Sequence, residues 1–210
     1  MSAVSRPVFS RVYPRMSGAA EKAGLGGHRT TLLAGLTGEV VEIGAGHGVN
    51  FAHYPSTVTR VLAVEPEIRL REAAVAAARD APVPVEVVDG LADHLPAADH
   101  TFDAAVCSLV LCSIPDPHAA LREVRRVLGP GGELRFLEHV RAPTPGLVRA
   151  QRVLDATVWP FLFGGCHTGR DTEAAVAGAG FTIERVDRFL FPRAKTPASF
   201  HVLGVARPEE

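Results

Sequence analysis

Through the first two thirds of this 210-residue chain, short runs rich in Val, Ile and Leu alternate with stretches of helical periodicity. The apolar runs lie at 38–43 (GEVVEI), 59–64 (TRVLAV), 84–89 (PVEVVD), 103–110 (DAAVCSLV) and 132–138 (GELRFLE). Between them, 67–79 (EIRLREAAVAAAR) and 117–128 (PHAALREVRRVL) read as helices. Leu121, Val124 and Leu128 recur on one stripe of the second, away from most of its charges. GPGG at 129–132 should stop that helix and turn the chain into the next strand. Such alternation predicts a parallel sheet covered by helices on both faces. Further runs at 181–188 (FTIERVDR) and 199–206 (SFHVLGVA) lack a helix-sized spacer and predict a terminal antiparallel hairpin. Its apolar residues could serve a homodimer contact or ordinary core packing.

The first apolar run ends in VVEIGAGHGVN, residues 40–50, with Gly44, Gly46 and Gly48 close together after Glu42. Glycines at the end of a first parallel strand let backbone amides approach a ligand that a Cβ would push away. They also suit a plain tight turn. Val49 occupies the place of a dinucleotide fingerprint's third glycine, and the loop has no phosphate-binding Lys. Glu65 closes the second run, where a carboxylate can accept hydrogen bonds from the two hydroxyls of a ribose. A ribose-bearing ligand with no required phosphate is indicated.

VVEIGAGHG, the acidic AVEP, DGLADHLPAADHTFDAAVCS and REVRRVLGPGGELRFLEHV cover 38–140 in an order and spacing that resemble class I S-adenosylmethionine (SAM)-dependent methyltransferases. The resemblance implies a Rossmann-like α/β fold with a seven-stranded, mostly parallel sheet, and S-adenosyl-L-methionine as cofactor. Gly44, Ala45, Gly46 and Gly48 would pass over its methionine part, Glu42 would organise the loop and the ammonium, and Asn50 would join these contacts. Glu65 would take the ribose, with Pro66 against the adenine, and Ser108 would meet the methionine end. Where many relatives place an aspartate near the adenine, this chain has Leu91, so Gly90, Leu91 and Ala92 are expected to line the adenine with backbone and apolar surface. VCSLVLCSI (106–114), FLEHV (136–140) and FLFGGCHTGRDT (161–172) resemble, within that superfamily, the small mammalian thiol methyltransferase-like proteins and bacterial homologues near the ubiquinone and menaquinone methyltransferases. The animal proteins carry an N-terminal membrane anchor, a location not expected to carry over here.

These motifs predict methyl transfer to a small, fairly apolar acceptor, foremost a thiol. O- or C-methylation of a phenol or quinone precursor, N-methylation of a lipid headgroup and a non-catalytic SAM-binding module are the alternatives, and a nicotinamide oxidoreductase is the remaining rival. A thiol, with an ordinary pKa of about 8.5, needs only modest assistance, whereas a phenol near about 10 calls for a base. His139, after the fifth strand, is the first candidate base or substrate contact, and His167 in GGCHTGRD is the second. Residues 1–37 form an arm and helix that should contribute to the acceptor pocket, and 38–210 the methyltransferase domain with a lid-like insertion around 141–172. Trp159, Phe161, Leu162 and Phe163 read first as core and second as a lid. Asp171 and Thr172 read as a helix start.

Cys107 and Cys112 read as small apolar core residues. Cys166, beside two glycines, is expected to be exposed, with no paired base or redox partner. The three cysteines form no CxxC or CxxH pair, so neither a disulfide framework nor a metal site is expected. A formal charge of −1 with scattered arginines speaks against nucleic acid as a partner. With no signal peptide and no 18-residue apolar run, no integral membrane segment is expected and the location should be cytoplasmic.

Overall fold

The apolar runs become strands, and the central ones are buried on both faces. A computed structural model describes residues 6–209. Its strands β1 (Gly38–Ile43), β2 (Val58–Val64), β3 (Val85–Val88), β4 (Phe102–Ser108), β5 (Leu128–His139), β6 (Phe181–Leu190) and β7 (Phe200–Pro208) form one sheet in the order β3-β2-β1-β4-β5-β7-β6. β1 to β5 pair in parallel, while β7 runs antiparallel to both β5 and β6. This is the expected seven-stranded sheet with its terminal hairpin.

Successive side chains of a strand point to opposite faces. Val41 and Ile43 therefore enter a core with Leu62, Phe102, Leu121 and Phe136, while Val40 enters a second with Leu32, Phe51, Val61 and Leu203. Of the apolar residues of β7, Val202 and Ala206 enter the first core and Leu203 the second, so core packing accounts for these three.

Helices α1 (Pro7–Ala20), α2 (Gly26–Leu33), α3 (Ile68–Ala77), α4 (Pro117–Val127), α5 (Pro145–Asp155), α6 (Trp159–Leu162) and α7 (Thr172–Gly178) complete the fold. Carboxylates start three of them: Glu67 accepts from the Leu70 amide, Asp116 from Ala119 and Asp171 from Ala174. The arm thus holds two helices, α1 and α2, joined across a kink at Gly24 (φ 120°), and residues 1–5 of it lie outside the described residues. No helix among the described residues is long and apolar enough to cross a membrane.

Two local expectations need correcting. β5 begins at Leu128, with GPGG inside it: Leu128 pairs with Phe102, Glu133 with Ala104, and the residues between bulge out. A bulge has no ladder hydrogen bond there for Pro130 to break. Phe161 and Leu162 are not core either, being 80% and 50% exposed.

Candidate active site

The strand order reverses direction at β1, between β2 and β4, and a cavity of ≈ 620 Å³ opens beyond the carboxyl ends of these strands. That volume lies within the range that holds cofactor-sized ligands. Its wall runs from the glycine loop and Glu65, past Gly90 and Leu91, to His139 and Cys166, and residues of α1, α2 and α6 close it.

Gly44 (φ 65°) and Gly46 (φ 60°) take left-handed backbone conformations that ordinary side chains resist. A Cβ on Gly44 would stand 2.2 Å from Cγ2 of Val110, so the loop lies flat against the segment after β4. The amide of Gly46 donates to Oε2 of Glu65 at 2.8 Å, and the amide of Glu67 donates to Oε1 at 2.9 Å. Glu65 therefore joins the first two strand ends. Burial raises its pKa to about 7, against the pull of those two amides. Hydroxyl donors from a ligand would favour its charged form.

Below the loop runs a buried polar chain. Glu42 accepts from Asn50 Nδ2 and from the Tyr54 hydroxyl, both at 2.8 Å. Asn50 Oδ1 in turn accepts from Nη1 of Arg29 at 2.8 Å, and the same nitrogen donates to Ser108 Oγ at 2.7 Å. Nε of Arg29 pairs with Glu21 at 2.7 Å. Arg29 is only 1% exposed, yet it lines the cavity. Burial lifts Glu42 to about 7 despite its two donors. A guanidinium this deep is costly unless its donors find partners, and a carboxylate-bearing ligand would supply one more.

At the far end, Cys112, His139 and Cys166 meet on the wall. Cys166 Sγ lies 3.4 Å from Cys112 Sγ and 3.5 Å from Nδ1 of His139. The Cys112 contact, ahead of the imidazole, lowers the Cys166 thiol. Cys112 moves the opposite way, through the same sulfur contact and burial. Burial depresses His139, but the Cys166 sulfur and Glu138 outweigh it, and the net shift is upward. Trp159 and Phe163, stacked with ring centroids 3.9 Å apart, also face the cavity.

Of the residues expected at the cofactor, Gly44, Gly46, Glu65, Pro66, Gly90, Leu91, Ala92 and Ser108 line the cavity. Glu42, Ala45, Gly48 and Asn50 lie behind this wall, where Glu42 and Asn50 reach it through Arg29. His139 is on the wall, whereas His167 is not: its ring bonds the Gly165 carbonyl at 2.8 Å. Cys166 is corrected from exposed to 5% exposed, and it does have a paired base in His139. Gly164 and Gly165, both at positive φ, fold the chain back and carry it inward. The sequence does not single out Arg29, because nothing local separates it from the other arginines. The arrangement fits a ligand with ribose hydroxyls at Glu65 and a carboxylate near Arg29.

Residues 41–136 match a family model described as a methyltransferase domain. The chain is 34% identical over 179 residues to the human (Homo sapiens) thiol S-methyltransferase TMT1B, covering 83% of this chain and 73% of that protein. It is 38% identical over 100 residues to a demethylmenaquinone methyltransferase of Corynebacterium kroppenstedtii, covering 48% and 41%. The fold also superposes on a SAM-dependent methyltransferase structure from Thermotoga maritima with a TM-score of 0.68 at 22% identity, covering 95% and 98% of the two chains.

Proposed function

Because the chain belongs to the SAM-dependent methyltransferases, we propose that the acceptor this enzyme methylates is a small, largely apolar thiol. The observation that carries this reading is the extent of the likeness to the thiol S-methyltransferase. It is longer than the 38–140 motif block, so it reaches into segments that wall the acceptor end. The likeness to the quinone-precursor enzyme is no longer than that block.

Bound S-adenosylmethionine supplies an electrophilic methyl group on a sulfonium. The chain's own part is to hold that donor, align the acceptor and exclude water. We assign the ribose to Glu65, the adenine to the surface made by Pro66, Gly90, Leu91 and Ala92, and the amino-acid end to Gly44, Gly46, Ser108 and Arg29. Ala45 and Gly48 shape the loop. Glu42 and Asn50 position Arg29. The 1–37 arm, through Phe9, Tyr13 and Met16, and the 141–172 insertion, through Trp159 and Phe163, form the acceptor's apolar surroundings. His139 touches the acceptor. His167 holds the turn that bears Cys166. A net charge of −1 supports an acceptor other than nucleic acid, and three free cysteines support a cytoplasmic setting.

The test is methyl release from labelled S-adenosylmethionine across a panel of alkyl thiols, phenols and amines, with Glu65→Ala as the binding-deficient control. A thiol should lead by at least tenfold in kcat/KM. Preference for a phenol or an amine refutes the assignment.

A further inference from the structure

Three side chains at the acceptor end have no role in holding the donor. Cys112 follows β4, His139 ends β5, and Cys166 sits in the turn after α6, so they come from three separate parts of the sequence. Their ligand atoms nevertheless all lie within 4.8 Å of one another. A tetrahedral zinc ion bound at about 2.3 Å to sulfur and about 2.0–2.1 Å to imidazole nitrogen sets its ligand atoms about 3.5–3.8 Å apart. The observed 3.4 Å between sulfurs and 3.5 Å from sulfur to Nδ1 stand within a few tenths of those edges.

The protein fixes this triangle by contacts of its own. Glu138, fully buried beside His139, accepts from the amides of Val110 and Leu111 at 2.9 Å and of Cys112 at 3.2 Å. That carboxylate therefore locks the Cys112 loop to the strand carrying His139. The His167 amide donates to the Cys112 carbonyl at 2.9 Å, tying the Cys166 turn to the same loop. Buried Gln151 accepts from the Ala142 amide and donates to the carbonyls of Val140 and Thr168, bracing the segments just past His139 and Cys166 together. The indole N–H of Trp159, on the same cavity wall as Cys166, is buried with no acceptor at hydrogen-bonding distance. Prearranged ligands with tethers of this kind are what separates a metal site from a chance meeting of thiols.

We propose that Cys112, His139 and Cys166 form a three-ligand zinc site whose fourth position opens into the cavity, and that the acceptor thiol coordinates there. The second half rests on the thiol reading given above. On binding, the two cysteine thiols release their protons to solvent and the imidazole lends the Nδ1 lone pair. The two thiolate charges and the dication cancel, which suits a buried wall. A thiol taking the fourth position loses its proton to solvent likewise and is held as thiolate at neutral pH. Three protein ligands and one open position is the pattern of a site that works on its fourth ligand.

The reduced full-length chain is titrated with Co²⁺ and Zn²⁺ alone, without donor or acceptor. One Co²⁺ per chain should bind with thiolate-to-cobalt charge-transfer absorption and tetrahedral d–d bands, and Zn²⁺ should displace it. Cys112→Ser, Cys166→Ser and His139→Ala, checked by circular dichroism for native fold, should each weaken binding by more than about a hundredfold, beyond the loss typical of outer residues. Glu65→Ala should keep the metal affinity while losing the donor. Adding 1-butanethiol should shift the d–d bands of the wild-type chain. No one-to-one cobalt complex in the folded wild type, or one indifferent to all three substitutions, overturns the site. So does mild oxidation that yields a Cys112–Cys166 disulfide in a chain that takes up no metal. Bands unmoved by the thiol overturn its coordination, and an intact metal complex in an enzyme that methylates no thiol overturns the thiol reading while leaving the metal site standing.

Discussion

Nη1 of Arg29 and Oγ of Ser108 meet at 2.7 Å across 79 positions of sequence, joining the N-terminal helical arm to the end of β4 at the cavity wall. The same nitrogen holds Asn50, which holds Glu42. Arg29→Lys replaces a fork of donors with a single point and cannot serve Glu21, Asn50 and Ser108 together. Its affinity for S-adenosylhomocysteine by calorimetry should fall by at least about tenfold, the loss of one good hydrogen bond to charge. Arg29→Ala should in addition cost about 3 kcal/mol of stability by chemical denaturation, since it leaves buried partners unsatisfied. Wild-type affinity in the lysine variant would remove Arg29 from the donor site.

The glycine loop gives an independent handle. Gly44→Ala places a methyl 2.2 Å from Val110 Cγ2 at a backbone φ of 65°. The backbone term alone is about 1–2 kcal/mol, and the clash adds to it. Val110→Ala should relieve only the clash. In a double-mutant cycle by denaturant melting, the two changes should therefore couple favourably by about 1 kcal/mol or more. Simple additivity would mean the loop moves away from Val110 at little cost.

Much of this architecture is written locally. Val40, Val41 and Ile43 announce a strand buried on both faces, and Glu65 announces its place by ending the next such run. The glycines of 44–48 carry their own backbone preference. What is hidden depends on tertiary closure. Arg29 looks like any helix-face arginine until β1 and β4 bring Asn50 and Ser108 beneath it. Cys112, His139 and Cys166 have none of the short spacings that mark metal ligands in a sequence, because they come from three segments far apart along the chain. Even the direction of Cys166 was hidden: the flanking glycines suggest an exposed turn, but their positive φ values fold it inward.

Burial of Glu42 gives the fold a pH signature. Its carboxyl is raised from 4.5 to about 7, so between these values the folded chain holds a proton that the unfolded chain has lost. Stability from this group is complete below pH 4.5 and falls as pH rises through 7. The isosteric Glu42→Gln does not titrate. Relative to it, the wild type should lose up to about 3 kcal/mol between pH 4 and 8, at 1.36 kcal/mol per unit. His201 works in the opposite sense: burial, and then His139, hold it at about 3, so it makes stability rise with pH below 6.5. It is common to both proteins and cancels in the difference. Denaturant melts of the pair across that range check the sign, and a constant difference would show that folding leaves the Glu42 carboxyl unshifted.

The stacked pair Trp159 and Phe163 separates acceptor binding from donor binding. Both rings line the cavity on the wall shared with Cys166, whereas Phe161, between them in sequence, is 80% exposed. Trp159→Ala removes apolar surface only from the acceptor's side, and burying a side chain of this size contributes about 1.5–3 kcal/mol. For a bulky alkyl thiol, KM should therefore rise about tenfold or more, while the Kd for S-adenosylhomocysteine stays within about twofold. A short thiol reaches less of the ring and should lose less. Phe161→Ala, which faces outward, should change neither constant. If Trp159→Ala weakens S-adenosylhomocysteine and thiol alike, the indole supports the whole cavity and α6 does not form a separate cover over the acceptor. If only the bulky thiol suffers, acceptor size is set by α6 independently of the cofactor's grip.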